Sequence, residues 1–129
     1  MSPLRSSQIP AGILASLEPH WLCVVDERGH DVPLRLIDQL NSIGESPIHI
    51  AAWKGTAADL RWLLENGADL EQRGKQEMTP LHYAYVGGKQ ENIAALLVAG
   101  ANRTAKSEMG LLPAGGATAD GLRAELTRY

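Results

Sequence analysis

Phenylalanine is absent from this chain, cysteine occurs once, and tryptophan and tyrosine contribute three residues each. A lone Cys23 cannot close a disulfide within the chain. That excludes a disulfide-stapled scaffold and points to a reducing compartment, expected to be the cytoplasm. No apolar run approaches the roughly 20 residues that cross a bilayer, so no membrane segment is expected. Basic residues are not in excess: 12 Lys and Arg face 15 Asp and Glu, a formal charge of −3. No stretch gathers Lys and Arg into the cationic face that phosphate binding requires, which argues against a nucleic-acid partner. The opening MSPLRSSQIPAGILASLEP has one Arg and a short apolar core broken by Gly12. It reads as an arm or short helix rather than a secretory signal.

What the chain does contain is an internal echo. Ser46-Pro47-Ile48-His49-Ile50-Ala51-Ala52 returns 33 residues later as Thr79-Pro80-Leu81-His82-Tyr83-Ala84-Tyr85. Leu63-Leu64-Glu65-Asn66-Gly67-Ala68-Asp69 returns with the same shift as Leu96-Leu97-Val98-Ala99-Gly100-Ala101-Asn102, and Gly55 returns as Gly88. A fixed period of this length marks a stacked array. Within each unit a polar turn (41–45, 74–78) precedes a hydroxyl residue and a proline, which suit the N-cap and first position of a helix. The expected first helices are Pro47 to Lys54 and Pro80 to Val86, each stopped by glycine in a left-handed cap at Gly55 or Gly87-Gly88. The expected second helices are Ala57 to Asn66 and Gln90 to Ala99, with Leu60, Leu63 and Leu64, then Ile93, Leu96 and Leu97, on one face.

These residues resemble the ankyrin repeat, whose T-P-L-H-x-A core is matched by Thr79-Pro80-Leu81-His82-Tyr83-Ala84 and whose closing G-A-D is matched by Gly67-Ala68-Asp69. The resemblance implies a mainly α ankyrin-repeat solenoid in a single domain spanning 1–129. Residues 41–73 and 74–106 are the two full repeats. Residues 107–129 form a degenerate capping repeat, in which Gly110, Pro113, Ala117 and Gly121 keep register and Ala119 to Tyr129 supplies the second helix. Residues 1–40 form an N-terminal arm and divergent cap. There the apolar run 21–25, the polar Asp26-Glu27-Arg28-Gly29 and the following His30-Asp31-Val32 read as a β-hairpin.

Candidate chemistry is sparse. His49 and His82 invite reading as metal ligands or acid–base groups, but stacked units hold equivalent residues roughly 10 Å apart, far beyond shared ligation. In the family this histidine is structural, so both are assigned to the scaffold. Cys23 with His20 or His30 has the types of a nucleophile and base, yet it lies in an apolar run where thiols are inert. Gly87-Gly88-Lys89 lacks P-loop spacing, and Gly115-Gly116 follows no strand. No enzymatic activity, metal or cofactor is expected. Asp59 and Asn92 are expected on a solvated face, Trp62 in the core, and Tyr85 in the groove between helices. Trp53 has two readings, an exposed anchor in the concave groove or a residue packed on the N-terminal cap.

The resemblance also implies that a partner protein is met by the hairpin tips and the exposed side of each first helix. Carried onto this sequence, those positions are Ser42, Ile43, Glu45, Trp53 and Lys54, then Lys75, Gln76, Met78 and Val86, then Glu108, Met109 and Leu111. The mixture of apolar and charged residues suits a protein surface. Glu77 stands where a turn glycine is usual, which predicts a second tip of different shape. The expected function is a protein-binding module, monomeric when free, acting as an inhibitor or as an immunity protein that neutralises a toxin. An enzyme using Cys23 or the N-terminal segment and a self-associating structural protein are the alternatives.

Overall fold

The computed structural model describes residues 8–21, 24–25 and 27–114; the expectations for Cys23 and for the helix at 119–129 lie outside them. Two helical hairpins stand side by side. In the first, α2 (Pro47–Lys54) is followed by α3 (Ala57–Glu65); in the second, α4 (Pro80–Gly87) is followed by α5 (Gln90–Val98). The first helices α2 and α4 pack on each other, as do α3 and α5. Before them come α1 (Ala11–Leu17), which packs on α2, and the short strands β1 (Val24–Val25) and β2 (Asp31–Val32). The strands pair antiparallel with Val24 opposite Val32, and Gln8 makes an isolated bridge to Leu36.

Local chemistry starts α2, α3 and α4 where the hydroxyl residues Ser46, Thr56 and Thr79 stand, whereas α5 begins after Lys89 without a side-chain cap. The Ser46 N–H donates to His49 Nδ1 at 3.1 Å, and the Thr79 N–H donates to His82 Nδ1 at the same distance. Thr56 and Asp59 cap α3 reciprocally, each backbone N–H donating to the other's side chain. The second helices end at Gly67 and Gly100, at φ 107° and 101°, where the chain reverses. Gly55 departs from expectation. Its φ of −87° is not left-handed. It is glycine for lack of room, because a Cβ there would lie 2.9 Å from both Cα and O of Ala51. Gly87 has the same role between units, a Cβ there running into the Trp53 carbonyl of α2.

The core runs through both hairpins and the N-terminal segment without a break. Ile9, Leu17, Trp21, Leu34 and Ile37 join Ile48, Leu60, Leu63, Leu81, Ile93 and Leu96 in one buried cluster. Full burial of each large aliphatic side chain contributes about 1.5–3 kcal/mol, and the N-terminal residues share this core with the hairpins.

Two further expectations are overturned by burial. Asp59 and Asn92, 33 residues apart, face inward. Asp59 Oδ2 accepts from Ser16 Oγ of α1 at 2.9 Å. Asn92 Nδ2 lies 3.1–3.3 Å from the carbonyls of Ala51, Ala52 and Gly55 at the end of α2. The position joins each second helix to a helix of the preceding unit, α3 to α1 and α5 to the end of α2, which is why a polar residue stands there.

Candidate protein-binding surface

Three tips project along one edge, and their backbones close alike. The N–H of Asn41, Gly74 and Ser107 donates to the carbonyl of Glu45, Met78 and Leu111 respectively, each at 2.9 Å. Inside each loop the N–H of Gly44, Glu77 and Gly110 returns to the carbonyl of residue 41, 74 or 107. Glu77 adopts φ 59°, so it takes the left-handed conformation of Gly44 and Gly110 despite its side chain. The crowns differ. Asn41 Oδ1 accepts from the N–H of Ile43 and Glu45, and Ser107 Oγ accepts from Met109 and Leu111. Gly74 has no side chain to do so, because a Cβ there would lie 2.9 Å from the His49 ring. The second crown is instead a 3₁₀ turn, Lys75–Glu77, with Gln76 also left-handed at φ 60°.

The histidines tie each tip to the unit before it. His49 Nε2 donates to the carbonyls of Gln72 (2.8 Å) and Met78 (3.2 Å), and His82 Nε2 donates to Leu111 at 2.8 Å. Burial lowers the His49 pKa to about 4 and moves that of His82 in the same direction, the carbonyl bonds offsetting part of the effect. Both imidazoles therefore serve as neutral connectors.

A polar chain that does not repeat lies beside them. Asn41 Nδ2 donates to Glu45 Oε1, and the Tyr83 hydroxyl donates to Glu45 Oε2, both at 2.8 Å inside the protein. Burial and the neighbouring Glu45 charge push the Tyr83 pKa up, and the Tyr83 ring rests against His49 at a centroid separation of 4.7 Å. The sequence carries a signal for this pair: both residues break the repeat in polarity, Glu45 standing where Met78 does and Tyr83 where Ile50 does.

Five of the expected contact residues are corrected by these positions: Glu45, Lys75, Gln76, Met78 and Val86 are buried in the structure. Glu45 and Met78 are the closing residues of their tips, which point into the protein, and both are buried. Val86 is buried in the last turn of α4 against the core. Leu111, the third closing residue, is half-buried on the same core. Those that reach solvent are Ser42, Ile43 (37% exposed), Lys54, Glu108 and Met109 (59% exposed). Trp53 is half-buried against the core, with the Lys54 ammonium 4.8 Å from its ring centre. Trp62 and Tyr85 are likewise partly buried.

The structure also brings together what the spacing separated. Ile43 of the first tip, Gly74, Lys75, Gln76 and Glu77 of the second, and Glu108 of the third line a recess of about 340 Å³. A backbone bond from Glu108 N–H to the Gln76 carbonyl joins the last two tips at 2.8 Å. Lys75 is largely buried, which lowers its pKa, and the charge of Glu45 opposes that shift. Between α3 and α5 a larger groove of about 610 Å³ is bordered by Arg61, Leu64, Glu91 and Val98.

Comparison with known proteins agrees with this repeated geometry. The family described as "Ankyrin repeats (3 copies)" matches residues 21–107. The chain belongs to the ankyrin-repeat family. The match starts at Trp21, ahead of the hairpin of β1 and β2, and ends at Ser107 in the third tip. Human ankyrin repeat domain-containing protein 37 is 40% identical over 57 residues, 44% of this chain and 36% of that protein. Mouse protein phosphatase 1 regulatory subunit 27 is 32% identical over 77 residues, 60% of this chain and 50% of that protein. A Caenorhabditis elegans transient receptor potential cation channel subfamily A member 1 homolog is 36% identical over 75 residues, 58% of this chain and 6% of that protein. The chain thus covers half or less of the length of each. Ankyrin repeats generally mediate protein–protein interaction. Among the described residues no helix is long and apolar enough to cross a membrane, and no group of three or more metal-ligating side chains is found.

Proposed function

We propose that this ankyrin-repeat protein is a non-enzymatic module that acts by occupying the surface of a partner protein, as an inhibitor or immunity protein does. The observation that carries the reading is the contrast at the tips. The closing hydrogen bonds repeat at 33 residues, whereas the exposed side chains Ile43, Glu77 and Met109 do not. A rigid edge that presents varied side chains is a recognition scaffold. The mouse relative is by name a regulatory subunit of protein phosphatase 1, which supports action through occupancy of another protein.

The test begins with the tagged protein purified from its native cell and the protein that accompanies it. Trp53→Ala should weaken that complex by about 2 kcal/mol, the scale of an interface anchor. Met109→Lys, at an exposed tip, should weaken it as well. Val98→Ser, 88% exposed between the second helices, should leave affinity unchanged. The reverse pattern would place recognition on the outer helices and sink the reading. A Trp53 variant that fails to fold would instead assign that residue to packing and leave Met109 to decide.

A further inference from the structure

The recess between the tips has a chemistry of its own. Its mouth carries the exposed carboxylates of Glu77 and Glu108. Among the described residues neither has an ion-pair or hydrogen-bond partner. The cation that lines it, Lys75, is buried and interacts electrostatically with the buried Glu45 carboxylate, so one carboxylate offsets its charge and two remain at the mouth. An independent observation comes from Gln76. This residue is only 8% exposed, yet among the described residues its side-chain amide makes no hydrogen bond. Nor is that amide sealed from solvent, since among the described residues the one fully buried side-chain polar atom without a partner is Nε1 of Trp21. The Gln76 amide therefore opens onto the recess it lines, held there by a left-handed backbone and by the bond from Glu108 N–H to its carbonyl. An amide so nearly enclosed and without a protein partner is placed to pair with a group that enters the recess.

We infer that the recess receives one long cationic side chain, arginine or lysine, from the partner protein. Two carboxylates and an amide oxygen supply acceptors on several sides, which suits a group made entirely of N–H donors. The volume of about 340 Å³ admits a single long side chain rather than a peptide segment. Ile43, on the first tip, provides apolar surface against which the methylene stem lies while its charged end reaches the carboxylates. This inference rests on the tips being the binding edge, as proposed above, and adds the chemistry that the edge selects.

The experiment uses the full ¹⁵N-labelled chain and two blocked tripeptides, acetyl-Gly-Arg-Gly-amide and its citrulline counterpart, which keeps the shape and three of the five N–H donors but lacks the charge. At low salt the arginine peptide should shift the amide signals of Ile43, Gly74, Lys75, Gln76, Glu77 and Glu108, saturating on the order of millimolar concentration. Adding about 0.5 M salt should weaken the effect severalfold. In the Glu77→Gln/Glu108→Gln variant, which keeps side-chain size and the backbone bonds, the apparent affinity should fall roughly tenfold, the weight of a lost ion pair in a partly enclosed site. Equal shifts from citrulline, or an unchanged response in the double variant, would overturn the charge assignment while leaving the tips as a binding edge. An arginine peptide that shifts only signals of α3 and α5 would overturn both readings. Absence of any shift up to tens of millimolar would overturn the inference alone.

Discussion

A second proton on His49 has no good place to go. Nδ1 faces the Ser46 N–H at 3.1 Å as an acceptor, and Nε2 is committed to the carbonyls of Gln72 and Met78. The pKa of about 4 caused by burial lies below the ordinary 6.5, so between those values the unfolded chain binds more protons than the folded one. Stability is then complete above about pH 6.5 and falls as pH drops toward 4. From His49 alone, moving to pH 5 should cost about 2 kcal/mol, and His82 shifts in the same direction. Urea melts at pH 7.5 and pH 5 check this; coincident midpoints would contradict it. At the same scale, Glu77 holds a left-handed backbone at φ 59° in the position of Gly44 and Gly110. Glu77→Gly should raise stability by up to about 1 kcal/mol, because relief of steric strain is partly offset by the looser unfolded chain.

Between elements, the side chains that fasten one helix to the next are polar and unassuming. Asn92 covers the end of α2 with three carbonyl contacts in the interior, and Lys89 Nζ adds bonds to Lys54 and Gly55 from the surface. Asn92→Leu should cost about 1–3 kcal/mol, since it strands buried carbonyls; Lys89→Ala, in solvent, should cost a fraction of that. The Glu45–Tyr83 pair permits a sharper measurement. Glu45→Met imports the residue of the second tip and leaves the Tyr83 hydroxyl without its 2.8 Å partner, at a cost of about 1–3 kcal/mol. Adding Tyr83→Phe should return part of that loss, and strictly additive single effects in chemical-denaturation midpoints would show that the two are not coupled. The helices themselves were legible, because proline, hydroxyl and glycine mark their ends locally. These inter-helix fasteners were not. Asp59 and Asn92 read as solvated polar residues on a surface helix until the neighbouring helix end is in place, and Gly55 reads as a left-handed cap until the nearby Ala51 backbone shows that space is the constraint.

For the whole molecule the question is whether the N-terminal segment is part of the folding unit or an appendage to it. The 33-residue period is silent before Asn41, since no motif recurs there, and only the apolar run and the divergent-cap reading pointed to a role. Likewise the buried closing positions Glu45 and Met78 could not be separated from the exposed ones by type, because a charged residue and a methionine both suit a contact surface. In the structure Leu17 is fully enclosed, α1 lies on α2, and Ser16 reaches Asp59 of α3. Those contacts cross from the segment to both helices of the first hairpin, and the same buried cluster continues to Leu96 of α5. In a linear array stability is shared between neighbours, so an end that seals the first apolar face controls the rest. Leu17→Ala should therefore cost about 2–5 kcal/mol, as much as Leu63→Ala or Leu96→Ala inside the repeats. The melts should stay single transitions that coincide by circular dichroism and tryptophan fluorescence. If the segment were an appendage, Leu17→Ala would leave the main transition in place while a separate, weaker one moved.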